Sequence, residues 1–224
     1  EAYSEVLTTG KEALRIGYSN NTNKWFSARA MPYKENQFLI LINSIDDYNK
    51  KFDFLQADNL TSLKNRFMLE DDLEKTYRKK TNFTLFLLDI LKFKSINDSF
   101  GITQGDMVLM EFAARLKKQV NKEAEVYRYN ADQFAVVIRN TNDELISKVI
   151  EVIHQAKKEP FIAQSNQLFI ELAVGYCSVE DFNQSFQEII TNAEMALIKA
   201  KKIKSKLAVR YDEKEANSEI KNKV

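Results

Sequence analysis

"RYNADQFAVV", residues 128–137, is the stretch on which the reading of this chain turns. Two runs of strand-forming residues, Val126–Tyr129 and Phe134–Ile138, flank a short polar break at Asn130–Ala131, and the acid Asp132 follows. The spacing predicts a β-hairpin with a tight turn. Such turns favour Asn-Gly or Gly-Gly, because their central residues take positive φ, which glycine meets freely and alanine resists. A turn suited to glycine therefore carries Asn130 and Ala131.

Outward from the hairpin, strands and helices alternate. "FTLFLLDI" (83–90) is a near-continuous apolar run, as expected of a strand covered on both faces. "SINDSF" reads as one short helix, and Val108, Leu109, Phe112, Ala113 and Leu116 form the stripe of a longer one. Beyond the hairpin come a helix over 143–158, strands near 161–163 and 167–178, a helix over 184–203 and the closing strand "LAVRY". The pattern predicts an α/β (α+β) domain, a mixed central sheet flanked by helices. Residues 45–80 read as one or two helices broken at Asp58–Thr61, which supplies N-cap candidates. Before them, "EALRIGY", "KWFSARAM" and "QFLILINS" read as three short antiparallel strands separated by Asn-rich turns. The chain starts at Glu1 and stops inside a charged helical pattern, which suggests a piece of a larger protein.

Composition narrows the class. The chain has 224 residues, 44% hydrophobic and 29% charged, with 5 Gly and 2 Pro, which suits a packed core and excludes a fibrous or disordered chain. A net charge of +1 gives no electrostatic case for nucleic acid as the partner. The single Cys177 allows no intrachain disulfide and fits a reducing, cytoplasmic setting. The single His154 lies off its helix's apolar stripe, reads as a surface residue, and leaves no His-based triad or His-rich zinc site. No apolar run approaches the ~20 residues of a membrane helix, and no contact with a membrane is expected.

Acids at strand ends are the natural chemistry-bearing candidates. Asp89 closes a buried strand and Asp132 opens the second arm of the hairpin. If the strands are neighbours, the two carboxylates converge in a site suited to Mg²⁺ and phosphate. The alternative is that both cap turns.

Several stretches read together are more specific. "DNLTSLKNR" (58–66), "DILKFKSINDSFGITQGD" (89–106), "RYNADQF" (128–134) and "NAEMALIKAKKIKSK" (192–206) occur in that order. Over residues 58–212 they resemble the GGDEF domain, the diguanylate cyclase family, whose wording is D-x-LTGL-x-NR, D-x-D-x-FK-x-IND-x-x-GH-x-x-GD, R-x-GG[DE]EF and A-x-x-ALY-x-AK-x-x-GRN. More loosely, residues 1–45 resemble the C-terminal strands of a PAS sensor domain, with 46–57 as its linker helix and 213–224 as a helical tail. The resemblance implies a nucleotidyl-cyclase-like fold and, in active members, condensation of two GTP into cyclic di-GMP across a homodimer, with divalent metals offsetting charge. That is phosphoryl transfer by positioning and electrostatics. It implies metal binding at Asp89, the Ile90 carbonyl and Asp132, guanine contacts at Asn97 and Asp106, and a phosphate contact at Lys201. A downstream EAL phosphodiesterase domain outside this chain is a further association of the family.

The departures fall at the chemistry. Asn130 and Ala131 replace both glycines, Gln133 replaces the second acid before Phe134, and Leu91 replaces the second Asp of D-x-D. Ile102 replaces the family's His, Lys204 and Ser205 stand where Gly-Arg would be, and the inhibitory R-x-x-D falls on Asn121 and Ala124. None of the signature residues Asn130, Ala131, Asp132, Gln133 and Phe134 is assigned a catalytic role. Helix capping is the alternative for Asn97 and Asp106. Three readings stay open: a regulatory domain that binds GTP weakly and relays a sensor's state, a residually active diguanylate cyclase using Mg²⁺, or a purely structural dimerisation domain.

Overall fold

The residues Phe83–Ile90 are buried at every position, and their side chains explain why the strand needs no polar face. Phe86, Leu88 and Ile90 pack into one core and Phe83, Leu85 and Leu87 into another on the opposite face of the sheet. The computed structural model describes residues 13–19, 22, 24–34, 37–45, 56–120, 124–203 and 207–212. The chain divides into two units, residues 1–55 and 56–224.

In the first unit, β1 (Ala13–Ser19), β2 (Lys24–Lys34) and β3 (Gln37–Ile45) form an antiparallel sheet in that order. The β2–β3 register shifts between Pro32 and Lys34, where proline offers no N–H to the ladder. Most of the expected linker helix (46–57) and all of the tail (213–224) lie outside the described residues.

The second unit runs α1 (Arg66–Arg78), β4 (Phe83–Ile90), α2 (Phe93–Phe100), α3 (Ile102–Gln119), β5 (Ala124–Asn130), β6 (Gln133–Ile138), α4 (Asp143–Gln155), β7 (Phe161–Ala163), β8 (Asn166–Leu168), β9 (Leu172–Val179), α5 (Phe186–Lys202) and β10 (Val209–Arg210). Its main sheet has the order β10-β9-β4-β6-β5. Only the β10–β9 pair is parallel, so the sheet is mixed, as the alternating pattern predicts. One core joins β4 and β6 to α2, α3 and α4; the other joins them to α1 and α5. Helix α5 is fixed by a capping box, Ser185 accepting from the Glu188 amide and Glu188 from the Ser185 amide. No helix among the described residues is long and apolar enough to cross a membrane.

Three expectations are corrected here. The Asp58–Thr61 break starts no helix; Asp58 folds back on Thr61, accepting from its amide at 2.8 Å and its hydroxyl at 2.7 Å. Helix α1 begins only after Asn65, whose side chain accepts from the Met68 amide. The strand expected over 167–178 is two strands: β8 pairs with β7 across a turn whose Gln164 and Ser165 have positive φ, and β9 starts only at Leu172, in the main sheet. His154 is half-buried: its Nε2 lies 2.6 Å from the Leu207 carbonyl oxygen, and burial lowers its pKa.

Candidate functional site

The signature hairpin forms, but its turn lies one residue further along than the strand pattern suggests. Asn130 ends β5 and pairs with Gln133, leaving Ala131 and Asp132 as the turn, and the register shifts between Arg128 and Asn130. None of Asn130, Ala131 or Asp132 has positive φ, which corrects the expectation that the turn demands glycine-type geometry. The bulge takes up the twist that a positive-φ turn would otherwise supply. Arg128 holds this shape from within: its Nε donates to the Asn130 carbonyl at 3.0 Å and its Nη2 donates to the Ala131 carbonyl. Its guanidinium carbon lies 4.8 Å from the Phe134 ring centroid.

Strand register builds the acidic corner. Asp89 sits one position from the end of β4, opposite Gln133 of β6. Alternation turns both toward α5, on the side of Leu87 and Ala135. There Asp89, 5% exposed, receives two donors on the same oxygen. Gln133 Nε2 donates to Oδ2 at 2.7 Å, and Lys201 Nζ of α5 lies 2.5 Å from it. The Ile90 amide donates to the Asp132 carbonyl at 3.2 Å, which ties the turn to the end of β4. Burial raises the pKa of Asp132, and the negative charge of Asp89 adds to it; Lys201 and Arg128 oppose the shift. The two carboxylates are thus within electrostatic reach of each other. As it stands, the corner fits Mg²⁺ poorly. Leu91 and Gln133 supply no carboxylate, the Asp89 oxygen is taken by an ammonium and an amide, and no cluster of three His, Cys, Asp or Glu suited to a metal occurs among the described residues.

A raised carboxylate pKa has a definite sign. Relative to the unfolded chain, folding favours neutral Asp132, so this group's stabilising contribution is complete below pH 3.8 and is lost as pH rises through its higher folded value. Asp132→Asn is therefore expected to raise the melting temperature at pH 7. In melts repeated toward pH 3 the gain should shrink away; a gain that persists there would contradict the assignment.

Asn97 and Asp106 lie on the other face of the sheet. Neither caps a helix: the N-cap positions of α2 and α3 are Lys92 and Gly101, without a side-chain cap bond, so the capping alternative fails. Asn97 is packed against the Cα of Gly105, where an added Cβ would lie 1.8 Å from its Oδ1. That oxygen and Arg128 Nη1 are buried without a hydrogen-bond partner. Burial depresses the pKa of Arg128, countered by the charges of Asp58, Asp132 and Asp106. Arg128 thus links the face carrying Asp106 to the turn carrying Asp132, a role that the strand pattern alone does not reveal. A charge inside an apolar strand was the available signal. Lys204, Ser205 and Asn121 lie outside the described residues; Ala124 begins β5.

The family model described as "Diguanylate cyclase, GGDEF domain" matches residues 55–206. The chain belongs to the GGDEF family. Among curated relatives, the bifunctional diguanylate cyclase/cyclic di-GMP phosphodiesterase MucR of Pseudomonas aeruginosa is 28% identical over 148 residues, 64% of this chain and 22% of its own length. The probable diguanylate cyclase DgcC of Escherichia coli is 27% identical over 149 residues, 65% of this chain and 40% of its own. The chain thus spans well under half the length of these relatives. Among solved structures, the coiled coil and GGDEF domain of DgcB from Caulobacter crescentus, in complex with c-di-GMP, superposes with a TM-score of 0.64 at 21% identity, covering 72% of this chain and 88% of that one. The FimX GGDEF domain of Pseudomonas aeruginosa gives 0.62 at 17% identity, covering 69% and 97%. These likenesses establish the shared fold, and the family match places this GGDEF domain in cyclic di-GMP signalling.

Proposed function

We propose that this chain is a regulatory GGDEF domain that holds a guanine nucleotide weakly without converting it to cyclic di-GMP. The observation that carries the reading is the Gln133 amide donating to Asp89. Where an active signature supplies a second acid to hold metal and help activate a hydroxyl, this chain supplies an N–H donor turned onto the first acid. An amide can neither take a proton at neutral pH nor bind a hard cation as a carboxylate does.

Nucleotide binding is supported from the other face. Asn97 and Asp106 cap nothing, and the Asn97 Oδ1 lacks a partner inside the protein. An Asn amide and an acid that pair with the guanine edge discriminate strongly against a base that cannot match them. Within the same proposal, residues 1–45 serve as a partial PAS-like input, 46–57 as a linker and 58–212 as the nucleotide domain of a cytoplasmic homodimer. Residues 213–224 lead toward any EAL domain beyond this chain. Residual cyclase activity is the second reading, favoured by the survival of Asp89 and Asp132 within electrostatic reach of each other.

Isothermal titration of GTP into the purified chain, with ATP as control and product analysis of the same samples, separates the two. The regulatory reading expects heat with GTP that ATP does not reproduce, no cyclic di-GMP, and loss of binding in Asp106→Ala. Cyclic di-GMP in the wild-type sample would make the chain an enzyme. No heat and no product at millimolar GTP would leave only a structural role.

A further inference from the structure

We propose that the ammonium of Lys201 is the resident cation of the acidic corner, standing in for a divalent metal, so that the domain takes its nucleotide without magnesium. The inference rests on the guanine-nucleotide reading above for its ligand, and on the contacts of Asp89 for its chemistry. Leu91 and Gln133 remove two of the four acids that the family's wording places here, leaving Asp89 and Asp132. One ammonium answers a corner of two carboxylates far better than it would answer four.

The donor geometry points the same way. An ionised carboxylate only accepts, so the Gln133 amide must present its NH₂ to Asp89, and its carbonyl faces away from that oxygen. A metal arriving at Asp89 Oδ2 would have to displace both this donor and the Lys201 ammonium 2.5 Å away. Lys201 itself is not used up. An ammonium carries three N–H donors; its contact with Asp89 leaves the others available, and its side chain is 38% exposed against 7% for Asp89. Lys201 is therefore placed to bridge a buried carboxylate and a phosphate oxygen, the charge-neutralising task that Mg²⁺ performs in phosphoryl-transfer sites. As a compact point charge on a flexible stem it suits that task.

Mn²⁺ serves as the probe, followed by its electron paramagnetic resonance signal with the full chain and no nucleotide. Wild type is expected to leave Mn²⁺ free, and the double variant Lys201→Met/Gln133→Glu to bind it at least about tenfold more tightly, since it removes the cation and restores a carboxylate. Wild-type binding that Asp89→Asn abolishes would overturn the inference, and so would a folded double variant that gains nothing. A second arm needs no variant: GTP is titrated in EDTA and again in Mg²⁺. Affinities within about twofold of each other are expected; binding seen only with Mg²⁺ would overturn the inference. Absence of GTP binding in both buffers counts against the nucleotide reading instead, and the Mn²⁺ measurement still decides the identity of the cation.

Discussion

Gly175→Ala is expected to destabilise the second unit by about 3 kcal/mol, the upper end of what overpacking a close-packed core produces. Gly175 lies in β9 between Leu87 of β4 and Val209 of β10. Its φ is not positive, so the reason for glycine here is space. A Cβ at this position would lie 2.1 Å from the Leu197 nitrogen, 2.5 Å from the Ala196 carbonyl carbon and 2.5 Å from the Leu197 Cα. All three are backbone atoms of α5, so no side chain can swing aside and the whole helix must lift from the sheet. At about 2–4 °C per kcal/mol for a domain of this size, the melting temperature should fall by roughly 10 °C. A loss below about 1 kcal/mol in urea titration would mean that α5 does not lie so close. The substitution also reaches the acidic corner, because Lys201 lies on α5 one turn beyond Leu197. A helix displaced outward carries the ammonium away from Asp89.

That coupling shows which parts of the site the chain's pattern reveals and which it conceals. The central strand was legible because eight residues without a polar alternation can only be covered on both faces, and Phe83–Ile90 is buried throughout. The stripes of α3 and α4 were legible because one face of each helix repeats apolar residues, and those residues form the core. The family wording located Asp89, Asp132, Asn97 and Asp106 before any register was known. Register itself was not legible locally. The hairpin turn slips by one residue because Arg128 binds two turn carbonyls from inside, a tertiary contact that local φ preferences do not report. Likewise, the segment between β8 and β9 is held from far away in the chain, the Leu91 amide donating to the Glu171 carbonyl at 2.8 Å, a contact that local pattern does not report. The join of Lys201 to Asp89 depends on how α5 crosses the sheet, and Gly175 sets that crossing.

Phe134→Ala should have the other large effect, about 4 kcal/mol, as deletion of a fully buried aromatic ring leaves a cavity that its surroundings only partly fill. The ring does three things at once. It packs in the core with α2, α3 and α4; it meets Phe112 of α3 edge-on with centroids 5.0 Å apart; and its face carries the Arg128 guanidinium at 4.8 Å. The aromatic pair alone contributes about 1 kcal/mol beyond its buried area. Loss of the ring also removes the platform on which Arg128 lies, and Arg128 holds the carbonyls of Asn130 and Ala131. The effect should therefore exceed a core deletion elsewhere in one respect: the turn should loosen as well as the fold. Hydrogen exchange distinguishes the two. In the folded variant, the amides of Ile90 and Gln133 around the turn should exchange faster than those of the β4–β9 ladder, while Phe134→Leu should keep most of the stability and the turn protection. Equal acceleration across the whole sheet would show that Phe134 supports the core alone and that the hairpin keeps its shape without it. Selective loosening would establish that the signature phenylalanine sets the geometry of the turn through Arg128, and thereby the place of Asp132 beside Asp89.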